Sequence, residues 1–488
     1  METYLYRFRS MKALLGEFQE LKSQSIYFAS LQELNDPMEG FRDTFWDGDD
    51  VVWRNLFRHY VQCLSHAFFF ICIVQEEHAI SWDLIPLHDV RPQALVEGIR
   101  SVLDEVLKDV FSHTEMGPYI QQISERSHAV RRNELEFHLR NVHELAIPCI
   151  ARVLERRKLH PPFKGTDEFI LKAKKRLSEA SESARLSNLV EKEHPDKEHA
   201  TEQIFASLNN AMKQVVLIDK YNGLLNQDHK NRNFVFLDFP EGYVRNVEKL
   251  VYPVWYTACF TKDYQNSAVW GTYGDCHRGA CLKFRVKEEG GKPFLQLNRV
   301  NGWGSSGPVR GNVKNPLLPV EYQSKFVAID FFRSLGSIPI PVLHRDWHRS
   351  EDGRVSVCDF GGDFTDEQRK AFWKTFETSA TTKLKDWAYE EEYRLVNFGY
   401  VVDYSDPKLR IANYEFSDLE GIIFGMNTRD EDKLAVMKII DEKCVEHKRD
   451  DFKLYQAYYS HATGRIETTE LQLLRVSLDN KDALNVVT

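Results

Sequence analysis

The stretch of this 488-residue chain best equipped for chemistry is Trp387-Ala-Tyr-Glu-Glu-Glu-Tyr-Arg394. If it enters a strand, Glu390, Glu392 and Arg394 share one face, because side chains alternate along a strand. Two carboxylates placed together can divide the work of a transfer reaction. One stabilises an electron-poor sugar carbon, and the other orients or deprotonates a nucleophile. A neighbouring arginine keeps at least one of them ionised. The alternative is an edge strand whose solvated face carries a Glu–Arg pair worth about 0–1 kcal/mol.

Two further segments carry candidate binding groups. Cys259-Phe-Thr261 precedes Val269-Trp-Gly-Thr-Tyr273, where Trp270 and Tyr273 lie one helical turn apart and stack on one side of a helix. Such a pair can sandwich a flat ring or can be core. In Tyr6-Arg-Phe-Arg9, Arg7 and Arg9 share a strand face and suit bidentate binding of phosphate; a solvated outer face is equally compatible. Gly302-Trp-Gly-Ser-Ser-Gly307 matches a dinucleotide fingerprint only as a string, since Pro308 follows where a helix should open. It and Asn312 to Pro319 read as surface loop. Asp47-Gly-Asp-Asp50 lacks the glutamate that completes a calcium loop. Cys276, His277 and Cys281 lack zinc-ligand spacing, and the sequence has neither a phosphate-binding P-loop nor His-Glu-x-x-His. No metal site is expected.

The elements that must position these residues are mixed. Strand patterns cover Tyr4 to Phe8, Ser25 to Ala29, Val254 to Phe260, Ala280 to Phe284, Phe326 to Phe331 and Tyr393 to Phe398. Leu34 to Gly40 carries turn residues. Between them, Ile99 to Phe111 and Thr201 to Ile218 show helical stripes, with a charged loop near Glu191 to Lys197. The tail reads as strand–helix–strand: Gly421 to Gly425, a helix opened by a Thr428/Glu431 capping box and running to about Val445, and Phe452 to Tyr459. The expected fold is α+β, with residues 1–50 and 238–488 forming a split β core around a helical insertion at 51–237.

Composition agrees with a folded protein, at 42% hydrophobic and 28% charged residues. A net charge of −9 argues against binding nucleic acid or anionic lipid through global charge. The run Ala67 to Val74 is too short to span a bilayer, which takes about 20 residues. Met1-Glu-Thr-Tyr-Leu-Tyr-Arg7 lacks the pattern of a signal peptide. Eight cysteines without a Cys-x-x-Cys pair suit reduced thiols in the cytoplasm. No membrane partner is expected.

In order and spacing, Leu5-Tyr-Arg-Phe-Arg9, Ile26-Tyr-Phe-Ala29, Leu34-Asn-Asp-Pro-Met-Glu39, Cys259-Phe-Thr261, Trp270-x-x-Tyr273 with His277-Arg-Gly279, the Trp387–Arg394 segment and Ile422-Ile-Phe-Gly425 resemble the bacterial domain of unknown function 2971 family. The likeness spans roughly residues 1–45 and 252–465. More loosely, an Arg on the first strand, a Thr after an aromatic and a late Glu-x-Glu resemble the Arg–Ser–Glu class of ADP-ribosyltransferases. That resemblance implies an ADP-ribosyltransferase-like β core with NAD as substrate. It implies that Arg7 contacts phosphate or ribose and that Thr261 supports the nicotinamide side. Glu392 is then the catalytic carboxylate, Glu390 the acceptor-side one, and Tyr27, Trp270 and Tyr273 the stacking candidates. The chain departs from the class in having no Ser-Thr-Ser string and a long stretch between Thr261 and Glu392.

The leading expectation is an NAD-consuming transferase of the toxin or antiphage-defence kind, with its acceptor recognised through the helical insertion. The alternatives are a non-catalytic module that senses a nucleotide or a partner, and a metal-independent RNase toxin.

Overall fold

A computed structural model describes residues 3–36, 38–88, 97–191, 197–252, 254–359, 365–399 and 402–471. The expected loop at 192–196 and the turn residue Pro37 lie outside the described residues. The chain forms two compact units: residues 1–42, 254–327 and 374–488 make unit 1, and residues 43–253 and 328–373 make unit 2. The insertion therefore runs further at both ends than the helical patterns suggested. A second excursion, read from sequence as part of the core, belongs with it.

Unit 1 is built on a mostly antiparallel sheet. Its main strands are β1 (Thr3–Arg9), β2 (Trp255–Thr261), β3 (Ala280–Glu289), β4 (Glu392–Phe398), β5 (Leu419–Phe424), β6 (Lys453–Ser460) and β7 (Arg465–Glu470). They lie in the order β7-β6-β5-β3-β1-β2-β4, and only β5 and β6 run parallel. This is an α+β arrangement. The alternation that marks β1 in sequence divides its side chains between two faces. Leu5 joins Phe260, Leu282, Leu395 and Ile422 in the larger core, and Phe8 joins Trp270, Cys281 and Ile423 on the other face. β1, β2 and β4 are neighbours, with Tyr6 opposite Thr261 and Thr261 opposite Glu392.

Three local expectations are corrected. Gly302–Gly307 is not a surface loop: strands Lys292–Gly304 and Gly307–Pro316 form a long hairpin whose Gly304 pairs with Gly307, and that hairpin includes Asn312 to Pro316. The buried Leu295, Leu297 and Val300 hold it against the core, and Gly307, at φ +115°, supplies the turn. Thr428 does not cap the helix Asp430–His447, because its hydroxyl donates to Gly279 O at 2.7 Å. Phe326 to Phe331 contributes only the short strand Ala328–Asp330, which pairs in parallel with Asp43–Phe45 in unit 2.

Unit 2 is largely helical, with long helices at Asp50–Val74, Arg132–Arg156, Thr166–Glu191 and Lys197–Tyr221. Asp49 caps the first by accepting from the Val52 amide. That helix is long and apolar enough to cross a membrane, yet 56% of its most apolar window is buried inside the protein. The helical stripe at 201–218 lies on the helix Lys197–Tyr221 and is exposed at Ile204, Leu208, Met212 and Val215.

Gly425 sits where two backbones nearly touch: a Cβ there would lie 2.2 Å from His277 O. Gly425→Ala should destabilise the protein by about 1–3 kcal/mol, read as a lower urea midpoint. An unchanged midpoint would show that this close approach is not required.

Candidate functional site

The carboxylate pair does meet, by a different route from the one its sequence suggested. Lys385–Glu390 is a 3₁₀ helix, not strand. Glu391 then takes a left-handed conformation (φ 44°, ψ 52°), and β4 begins at Glu392. A non-glycine residue in that region is strained by about 1–3 kcal/mol and persists where the surroundings fix it. Here the Lys262 amide donates to Glu391 O at 3.0 Å, and the Glu392 amide donates to Tyr322 Oη at 2.9 Å.

The kink delivers Glu390 and Glu392 to one ammonium group. Lys383 Nζ donates to Glu390 Oε2 at 2.7 Å and to Glu392 Oε2 at 3.4 Å. Lys383 is placed by a two-stranded parallel ladder in which it lies opposite Tyr322. Arg394, two residues along the same face of β4, grips Glu392 through Nε (2.8 Å) and Nη2 (3.2 Å). Its Nη1 reaches Ala380 O at 2.8 Å and Glu39 Oε1 at 2.7 Å. Tyr273 donates to Glu390 Oε1 at 2.7 Å. The side chains of Glu39, Lys383, Glu390, Glu392 and Arg394 are all no more than 4% exposed. Three carboxyls and two cations thus form one buried cluster.

The proton affinities of the two members of the pair are shifted in opposite directions. Burial raises the pKa of Glu392, but the Arg394 charge and hydrogen bonds, with Lys383 behind them, overcome it and bring Glu392 down to about 2. For Glu390 burial dominates, outweighs Lys383 and is reinforced by the Glu392 charge, so its pKa is raised. Glu39 is raised for the same first reason, against Arg394. Charge balance runs the same way: three ionised carboxyls against two cations leave a buried excess negative charge, which proton uptake relieves.

The other sequence candidates divide. Thr261, opposite Glu392 in register, shares the face of the cluster and donates its hydroxyl to Asp263 O at 2.8 Å. Tyr273 belongs to the site. Trp270 does not present a stacking surface: it is fully buried, packs edge-on against Phe8 and donates its indole N–H to Tyr264 O.

Arg7 lies on the opposite face of the sheet. It pairs with Leu282 in register, sits against Phe260 and donates to the Cys259 and Tyr27 carbonyls at 3.3 Å each. Alternation along β1 forces this, since Tyr6 is the residue opposite Thr261. Burial, with the Arg9 charge next, lowers the Arg7 pKa to about 10, and its Nε finds no hydrogen-bond partner among the described residues. Tyr27 accompanies Arg7 by its backbone, while its hydroxyl donates to Glu33 and accepts from Arg410.

Glu39, Lys383 and Tyr322 were not singled out in sequence as site residues. Glu39 closes a turn that reads as punctuation. Lys383 lies seven residues before Glu390 in a stretch without strand alternation.

Because the pKa of Glu392 falls from 4.5 to about 2 on folding, its ionisation contributes stability that is full above pH 4.5 and is lost as pH drops toward 2. Glu392→Gln should be less stable than wild type at neutral pH by about 3–5 kcal/mol. That gap should close across this acid window in urea denaturation. A gap independent of pH would contradict the assignment.

Comparison of the chain with protein-family models, with curated proteins and with solved structures finds no match.

Proposed function

We propose that unit 1 cleaves NAD at the nicotinamide–ribose bond and passes ADP-ribose to an acceptor. The observation that carries this reading is the division of labour within the carboxylate pair. Glu392 is gripped by Arg394 and Lys383, which lower its proton affinity, while Glu390, two residues away, meets the same lysine and Tyr273 and has its proton affinity raised. Two carboxyls pushed apart in this way mark separate electrostatic and acid–base roles.

In the reaction, the ribose C–N bond breaks and neutral nicotinamide leaves with the bonding pair. Glu392 stabilises the resulting oxocarbenium-like cation. Glu390 takes the proton of the acceptor as its nucleophile closes on the sugar carbon, a task favoured by a pKa moved toward neutrality. Arg394 and Lys383 use three of the roughly four acceptor positions of the Glu392 carboxylate, and the Cys259 thiol also hydrogen-bonds to it, so a ribose hydroxyl binds Glu392 by displacing the thiol. Tyr273 above Glu390, and Trp387 and Tyr389 with ring centres 6.2 Å apart, supply aromatic surface beside the pair. Arg7 is not the phosphate clamp in this reading, because it faces the other way.

The mutual pairing of all five charges favours a second reading, a module that binds a nucleotide without turnover.

The test is release of nicotinamide from NAD by the purified protein. Glu392→Gln should lower the rate by about 100- to 1,000-fold. Glu390→Gln should spare nicotinamide release more than transfer to an acceptor. Tight binding of NAD with no release would select the second reading, and neither binding nor release would exclude both.

A further inference from the structure

Unit 2 contains a second cluster of ionisable groups, independent of the carboxylate pair. A single π-helical turn, His344–His348, places two histidines four residues apart. Such turns recur at functional sites. Asp359 comes back to meet both rings: its Oδ2 lies 3.1 Å from His344 Nδ1 and its Oδ1 lies 3.7 Å from His348 Nδ1. One ligand atom from each of the three residues falls within 4.8 Å of the others, the one such group of three among the described residues.

The hydrogen bonds around His348 give this cluster its meaning. Its Nε2 is 3.0 Å from the Phe332 carbonyl, which can only accept. In the neutral ring, the form that binds a metal, the proton therefore sits on Nε2 and Nδ1 keeps its lone pair. That Nδ1 is buried and has no hydrogen-bond partner among the described residues, and at 3.7 Å the Asp359 oxygen is beyond hydrogen-bond length. The ring is 4% exposed and the carboxylate 3%. A lone pair facing a carboxylate in so dry a place is repulsive unless a positive charge lies between them.

A metal ion supplies that charge with the right spacing. Ligands bound tetrahedrally at 2.0–2.1 Å are separated by about 3.3 Å; here one ligand atom from each residue lies within 4.8 Å of the others, so the three close onto one ion by small side-chain rotations. Metal-bound histidines usually donate their other N–H to a carbonyl or carboxylate, as His348 does. His344 also lines a cavity of about 590 Å³. Two imidazoles and one carboxylate suit zinc and its first-row neighbours better than calcium or magnesium.

We propose that His344, His348 and Asp359 form a mononuclear site for a divalent transition-metal ion of the zinc class. The test uses the full chain, stripped with a chelator and titrated with cobalt(II) as a spectroscopic probe. The expected result is one cobalt per chain with the intense visible bands of a four-coordinate ion, displaced by zinc, and a thermal midpoint raised by zinc. Asp359→Asn and His348→Gln should each weaken binding at least about 100-fold, with circular dichroism confirming that they fold. Wild-type protein that takes up no cobalt in such a geometry overturns the proposal. So do folded variants that bind as tightly as wild type, which would place the metal on other histidines. If both variants fail to fold, the wild-type spectrum and stoichiometry decide alone.

Discussion

Five charged side chains share one dry volume in unit 1, and much of that unit can be understood as the means of keeping them there. Removing a single ion from water costs several kcal/mol even after relaxation, so no member of the set Glu39, Lys383, Glu390, Glu392 and Arg394 can be buried alone. Each arrives on a different device. Glu392 and Arg394 come from alternate positions of β4, Lys383 from a short parallel ladder, Glu390 from the end of a 3₁₀ turn, and Glu39 from the N-terminal turn. The left-handed Glu391 is the joint between two of these devices. A helix or strand running straight through positions 390–392 would break the set.

The sheet that carries the cluster also separates it from the larger core, while a smaller core around Phe8 and Trp270 shares the cluster's face. Thr261, Glu392 and Arg394 emerge on one face, while Leu5, Phe260 and Leu395 fill the other. Arg7 is the exception that shows the cost of this separation. It sits on the core face with two long carbonyl hydrogen bonds, and its proton affinity is reduced by burial. A guanidinium so placed organises the carbonyls of Cys259 and Tyr27, which tie the opening strand segments to β2.

The parts legible in the sequence are those governed by one local period. β1, β2, β4, β5 and β6 stand close to where alternation and β-branched content put them, as does the helix at Glu97–Phe111. The pairing of Glu390 with Glu392 was legible from composition and spacing, but its geometry was not. A 3₁₀ turn and a left-handed residue leave no periodic trace. Which face Arg7 occupies depends on register with Thr261, and register is a property of two strands far apart in the chain. Trp270 and Tyr273 look equivalent in sequence, yet one is core and one meets a carboxylate. The hairpin from Lys292 to Pro316 was hidden by its glycines, and the histidine pair at 344 and 348 by the absence of any cysteine partner.

The pair's unequal ionisation is the claim on which the functional reading stands. It is measured most directly by carboxyl-carbon NMR of protein labelled at glutamate, with Glu390→Gln and Glu392→Gln spectra used to assign the two resonances by difference. The account predicts that the Glu390 signal titrates above the ordinary value of 4.5 while the Glu392 signal stays ionised to about 2. Two carboxyls titrating together near their ordinary value would contradict it.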